Sequence, residues 1–253
     1  MDDAPCRIKV VKKITHPLLN LMNMNNISLI LKHIEEIQER LSSTPDFDME
    51  YSVNKNQVNV WSKNYPATSA CIRTDRTGQL IVNATSGSRK LNGGTGSPLN
   101  EILNNGQGNF LPNACYVVDL GRFIFKTDGF SRRVTQIDFR LADESLIDRG
   151  SRPRRQMTEV DGTEHGHGVP HCLGGPNEGI NIFLMSQTVN RELLKHLEGF
   201  MSASIRLGDL YSLKGTILLD YDHLLSTRPS SFHYKVTIQS STTKGFFDCQ
   251  INN

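Results

Sequence analysis

The sequence predicts an α+β protein built on an antiparallel sheet with a helix packed on it, and three observations carry that prediction. Short runs rich in Val, Ile, Phe and Tyr recur with turn residues between them: Cys115 to Asp119, Gly121 to Thr127 and Val134 to Leu141. Runs of this kind form an antiparallel meander. Two more, Thr216 to Asp220 and Phe232 to Ile238, follow a stretch of helical spacing. That stretch, from Thr188 to about Met201, places Val189, Leu193, Leu194, Leu197, Phe200 and Met201 at the intervals of an amphipathic helix.

The remaining elements follow in chain order. Residues 27 to 43 set Ile30, Ile34, Ile37 and Leu41 on one face and Glu35, Glu36, Glu39 and Arg40 opposite, which predicts an amphipathic helix. Asn25 or Asn26 can cap it. Residues 50 to 61 alternate through Tyr51, Val53, Val58 and Val60 and read as one or two short strands. Ala70 to Ala84 reads as a hairpin turning near Thr77-Gly78. Between Ala84 and Pro112 the chain becomes rich in Gly, Asn and Ser and holds too little apolar surface to offset its ordering entropy, so it reads as a linker or mobile loop. The predicted organisation is an N-terminal α+β region of unassigned role (1–84), a linker (85–112) and a C-terminal domain (113–253).

Composition narrows the function classes. A chain of 253 residues with 37% hydrophobic and 21% charged residues can bury an ordinary globular core. No apolar run reaches the ~18 residues a membrane span needs, and the N-terminus lacks a signal-peptide core. The expected location is the cytoplasm, or outside the cell by a specialised secretion route. Five scattered cysteines without a CxxC pair argue against a disulfide scaffold and for a reducing compartment. A formal charge of +2 does not by itself point to nucleic acid. Its distribution does, because Gly121 to Arg155 carries nine Lys/Arg against five Asp/Glu and ends on Arg149, Arg152, Arg154 and Arg155. That run suits a phosphate-binding wall.

It leads into the stretch with the densest chemistry, Glu164 to Glu198, which holds His165, His167, His171, Cys172, Asn181 and Asn190. The pattern Gly166-His167, Leu173-Gly174-Gly175-Pro176-Asn177, Asn181-Ile182, Val189-Asn190-Arg191 and Leu197-Glu198 resembles the DNA/RNA non-specific endonucleases. The likeness is greatest to the toxin-associated branch found among bacterial polymorphic and type VII secreted effectors. It runs from about Cys115 to Ile238 and includes Phe125-Lys126-Thr127-Asp128, Gln156, Tyr221 and Arg228-Pro229. The resemblance implies a ββα-metal (His-Me finger) core and hydrolysis of phosphodiester bonds in DNA, and in RNA.

Such hydrolysis needs a base to take a proton from water, a cation to stabilise developing charge, and donors to hold the phosphate. The resemblance puts His167 in the role of base, a role suited to the side chain that titrates nearest neutrality. It makes Asn190 the protein ligand of a largely hydrated Mg²⁺ or Mn²⁺, and Glu198 the acid that holds that ion's water. Eight residues of straight helix separate Asn190 and Glu198 by ~12 Å, so the two share an inner shell only if Asn190 sits ahead of regular helix or the helix is distorted, and holding the ion's water is the assignment that suits Glu198. Asn181 matches a position that braces the site, and Gln156 can do the same. Arg133, Arg155 and Arg228 are candidates to clamp phosphate, since a guanidinium fork matches two phosphate oxygens. A toxin's producer needs an inhibitor protein, and an acidic partner would fit a basic cleft.

The chain departs from the family pattern at three places. Glu164-His165 stand near where an Asp precedes the histidine, Gly168 stands where Leu is usual, and Leu184-Met185 replace a Pro-Gln pair. Two other readings use the same residues. His165, His167, His171 and Cys172 form H-x-H-x3-H-C, a ligand string for a structural zinc module. The arginine run alone would serve a non-catalytic nucleic-acid-binding module.

Overall fold

A computed structural model describes residues 21–41, 49–54, 57–62, 69–75, 77–84, 110–141, 162–176, 179–206, 210–242 and 244–253. Twelve strands and two α-helices organise them. Helix α1 spans Leu21–Leu41 and precedes four strands, β1 (Met49–Asn54), β2 (Gln57–Ser62), β3 (Ser69–Thr74) and β4 (Leu80–Ala84). Three more follow, β5 (Ala114–Val118), β6 (Phe123–Thr127) and β7 (Val134–Leu141). A two-stranded ribbon, β8 (Thr163–His167) and β9 (Ile182–Ser186), leads into helix α2 (Leu194–Arg206). The chain closes on β10 (Leu210–Asp220), β11 (Ser231–Ser240) and β12 (Lys244–Asn252).

Ten strands form one sheet in the order β1-β2-β3-β4-β5-β6-β7-β10-β11-β12. Every pairing is antiparallel except β4 with β5. A parallel pair needs a crossover of a dozen residues or more, which the Gly/Asn-rich stretch after β4 is long enough to supply. Residues 85–109 of that stretch lie outside the described residues. By Phe110 and Leu111, 2% and 1% exposed, the chain is packed into the core.

One sheet face is buried because its apolar residues fall in register across the strands. Val58 pairs with Ile72, Ile72 with Val82, Val82 with Tyr116, Tyr116 with Phe125, Phe125 with Ile137, Ile137 with Ile217 and Ile217 with Tyr234. Each of these side chains is buried, and a fully buried Ile or Phe contributes about 1.5–3 kcal/mol. The α1 residues Ile30 and Ile34 pack into the same core. Glu35, Glu36 and Glu39 are exposed, as the helical pattern requires.

The α+β class, the 70–84 hairpin and the 115–141 meander agree with the sequence reading; helix α1 does too, but it starts at Leu21, so Asn25 and Asn26 lie inside it and do not cap it. Two strands do not appear in it. β9 has a continuous apolar run, Ile182-Phe183-Leu184-Met185, too short for periodicity to classify. In β12 the adjacent Phe246 and Phe247 mask alternation, although the strand pairs with β11 without a register shift. Among the described residues no helix is long and apolar enough to cross a membrane.

Candidate active site

The ribbon and helix α2 make a ββα unit on the sheet. β8 and β9 pair antiparallel, with His167 opposite Ile182, Gly166 opposite Phe183 and Glu164 opposite Met185. His167 is the last residue of β8 and is half-buried. Its ring stacks on His171, with centroids 5.6 Å apart and planes at 28°. His171 opens a one-turn 3₁₀ segment, His171–Leu173, and its Nδ1 lies 3.2 Å from the Gly175 carbonyl oxygen. A carbonyl only accepts, so Nδ1 carries the proton there.

The loop after His167 is held from two sides. Asn181 is fully buried. Its Nδ2 donates to the carbonyls of Val169 (2.8 Å) and Pro176 (2.9 Å), and its Oδ1 accepts from the Val169 N–H (2.8 Å). The buried Tyr234 phenol donates to the Gly168 carbonyl at 2.9 Å. Burial pushes that phenol's pKa up, with the nearby Glu198 and Cys249 acting in the same direction, so it remains a donor throughout the physiological range. Gly168, where the family pattern has Leu, is confined: a β-carbon there would lie 2.8 Å from Ile137 Cδ1 and Phe183 Cε2.

Asn190 lies in a π turn, Val189–Leu193, at the start of the helix. The Leu194 N–H bonds back five residues to the Val189 carbonyl, the signature of one inserted residue. The insertion has a geometric consequence. Eight residues of α-helix leave two side chains roughly 80° apart around the axis, whereas one inserted residue restores the phase of an i, i+7 pair, roughly 20° apart. Asn190 and Glu198 are thereby brought toward one face, and the separation along the axis remains. Asn190 thus sits ahead of the regular helix, which starts at Leu194.

The Asn190 side chain meets β8. Its Nδ2 donates to Glu164 Oε2 at 3.0 Å, and a β-carbon on Gly166 would lie only 2.5 Å from its Oδ1. Arg191 pairs with the other Glu164 oxygen. Glu198 lies by the 3₁₀ turn, its Oε2 3.9 Å from Cys172 Sγ. The three candidates each contact the segment Glu164–Cys172, at different points along it. His167 is tied through its stack on His171, Glu198 through Cys172 beside His171, and Asn190 through Glu164 and the glycine preceding His167.

The donor chemistry fits a hard cation. A neutral carboxamide oxygen beside carboxylates suits Mg²⁺ or Mn²⁺, which keep most of their waters. Among the described residues no three His, Cys, Asp or Glu side chains are gathered to hold a metal, so the H-x-H-x3-H-C string of the alternative zinc reading is not drawn into one cluster. His165 and His167 are two apart on β8 and share a strand face, whereas His171 and Cys172 sit on the turn beyond it.

The arginines separate into different settings. Arg133 donates to the carbonyls of His223 (2.9 Å) and Ser226 (2.7 Å) and to Ser131 Oγ (2.7 Å), and its guanidinium lies 4.0 Å from the Tyr221 ring centroid. In this structure its donors pin the β10–β11 loop to the β6–β7 turn. Arg228 reaches Asn253 Oδ1 at 3.4 Å. Asn253 in turn accepts from the Ser186 N–H and donates to the Leu184 carbonyl, so Arg228 stands beside the far end of the ribbon. Arg155 and Gln156 lie outside the described residues.

The turn that Arg133 pins is built on Asp128. Burial raises that carboxyl's pKa, but bonds from the Ser131 hydroxyl and from the N–H groups of Ser131, Phe130 and Arg132 outweigh it and hold the pKa below its ordinary value. A depressed carboxylate stabilises the fold above its unfolded pKa of ~3.9 and loses that contribution as pH falls through the folded value. Asp128→Asn is thus expected to flatten the acid limb of stability below about pH 4. Urea midpoints measured across that range check it, and an unchanged limb would remove Asp128 as a cause.

No protein-family model and no curated protein matches this chain. Among solved structures it is similar to one of the EndoG/EndoGI complex, determined for the mechanism of EndoG inhibition, at 12% identity and a TM-score of 0.41. That likeness covers 52% of this chain and 71% of the other. It is also similar to NucA from Streptococcus agalactiae, solved with no metal bound, at 13% identity and a TM-score of 0.40 over 51% and 69% of the two chains. At this degree of likeness the functional reading rests on the site itself.

Proposed function

We propose that the chain is a metal-dependent endonuclease that hydrolyses phosphodiester bonds of DNA, and of RNA, without choosing sequence. The observation that carries this is the ββα unit, in which a strand-end histidine, an asparagine in a π turn and a helix glutamate each contact the segment Glu164–Cys172. The sequence resemblance supports it independently. A bound divalent cation would supply charge stabilisation for the phosphorane and the leaving 3′ oxygen.

The protein's own residues account for the rest. His167 takes the proton from the attacking water, and its ring is oriented by the His171 stack. Asn181 and Tyr234 fix the backbone immediately after it. Asn190 would hold the cation through its carboxamide oxygen, and Glu198 would hold that ion's water. Arg228, with Arg155, holds phosphate; Arg133 serves by setting the loop from which Arg228 extends. As a toxin or effector the protein would act in a target cell, and its producer would need an inhibitor protein.

Purified protein is expected to nick supercoiled plasmid with Mg²⁺ or Mn²⁺ and to stop reversibly on EDTA while its far-UV circular dichroism stays unchanged. A structured RNA in parallel reads substrate preference. Folded protein that cuts neither substrate would sink the enzyme reading. Salt-sensitive binding without cleavage would favour the binding-only alternative.

A further inference from the structure

We infer that Glu164 is a positioning residue that sets which way the Asn190 carboxamide faces, an inference that rests on the metal-dependent reading above. A carboxylate has only acceptor atoms, so the Asn190 atom that meets Glu164 Oε2 at 3.0 Å must be Nδ2. The two ends of a carboxamide are nearly equal in size and opposite in polarity. Anchoring the NH₂ end on Glu164 therefore turns the oxygen end away, over the bare backbone of Gly166, where a β-carbon would come within 2.5 Å of it. Without that anchor the group can turn over and present N–H donors where a cation needs an oxygen.

The anchor is itself held. Arg191 occupies the second Glu164 oxygen, and the glutamate side chain is only 12% exposed, so the carboxylate has little freedom. Glu164 and Gly166 are two apart on one strand and face the same way, and Met185, the cross-strand partner of Glu164, lines the same spot. One strand face thus supplies both the acceptor that orients Asn190 and the gap that admits it. The π turn that carries Asn190 supplies Arg191 as the next residue. Outer-shell groups of this kind commonly change metal affinity by 10- to 100-fold when removed.

The test uses the full chain and two readouts. Mn²⁺ binding is measured by electron paramagnetic resonance, and the Asn190 side-chain NH₂ signals, assigned by their loss in Asn190→Ala, are followed by ¹⁵N NMR without metal. Glu164→Ala is expected to weaken Mn²⁺ binding roughly 10- to 100-fold and to shift the NH₂ pair toward free-amide values with faster solvent exchange. Glu164→Gln, which can bond either end of the carboxamide, should lose part of both. Arg191→Ala frees the second Glu164 oxygen but keeps the Glu164–Asn190 bond, so its Mn²⁺ affinity should fall less than that of Glu164→Ala.

Wild-type Mn²⁺ affinity or an unmoved NH₂ pair in Glu164→Ala would overturn the inference. So would an Arg191→Ala loss as large as that of Glu164→Ala, which would reduce Glu164 to one half of an ion pair. If the NH₂ pair responds as expected but wild-type protein binds no Mn²⁺, the metal-dependent reading fails while the orientation of Asn190 by Glu164 stands.

Discussion

His167→Ala is expected to lower plasmid nicking ~10²- to 10⁴-fold, the range for removal of a positioned general base. The same protein should melt within about 2 °C of wild type, because truncating a half-buried side chain at a strand end opens no core cavity. His167 pairs with Ile182 through the backbone of the ribbon, and that backbone does not change when the ring is removed. The neighbour it stacks on, His171, also has a backbone partner, so the loop keeps its anchor. His171→Ala is a useful companion: a ring that only orients the base should matter less than the base itself. Cleavage by His167→Ala at the wild-type rate would reject the assigned role. A loss of activity matched by a large fall in melting temperature would show that the histidine is structural.

The two halves of the molecule were legible to different degrees, for physical reasons. The meander could be read because β5, β6 and β7 alternate buried and half-buried residues, and a period of two survives in the sequence. The helix could be read because Val189, Leu194, Met201 and Ile205 are buried while Glu192, Lys195 and His196 are exposed. Its first turn was harder, since a π insertion changes hydrogen bonding without changing composition. The role of Asn181 came only from the family resemblance, because its acceptors, the Val169 and Pro176 carbonyls, lie 12 and 5 residues away. The contact of Glu164 with Asn190 could not, because it joins positions 26 residues apart through a strand register no local pattern encodes. The internal partners of Arg133 were hidden for the same reason: two of its acceptors are carbonyls 90 and 93 residues away.

Asn181→Ala is expected to lower the unfolding free energy by about 3–5 kcal/mol, a large share of the roughly 5–15 kcal/mol that holds a typical domain. The side chain is fully buried and makes three hydrogen bonds, two to the backbone of Val169 and one to Pro176. Removing it leaves one N–H and two carbonyls without that partner in a place water does not reach, at about 1–3 kcal/mol for each unmet group. Asn181→Asp makes the sharper comparison. It keeps the shape and can still accept from the Val169 N–H, but it turns an oxygen toward two carbonyl oxygens. A stabilising shape effect would spare the Asp variant, whereas hydrogen bonding would make it at least as damaging as Ala. Urea unfolding of both variants decides between these, and a loss below about 1 kcal/mol in each would mean the loop is held by other contacts. Activity should fall in the same variants at temperatures where they remain folded. Gly168 and Val169 directly follow His167, and the backbone that Asn181 fixes is the backbone that would aim the proposed base.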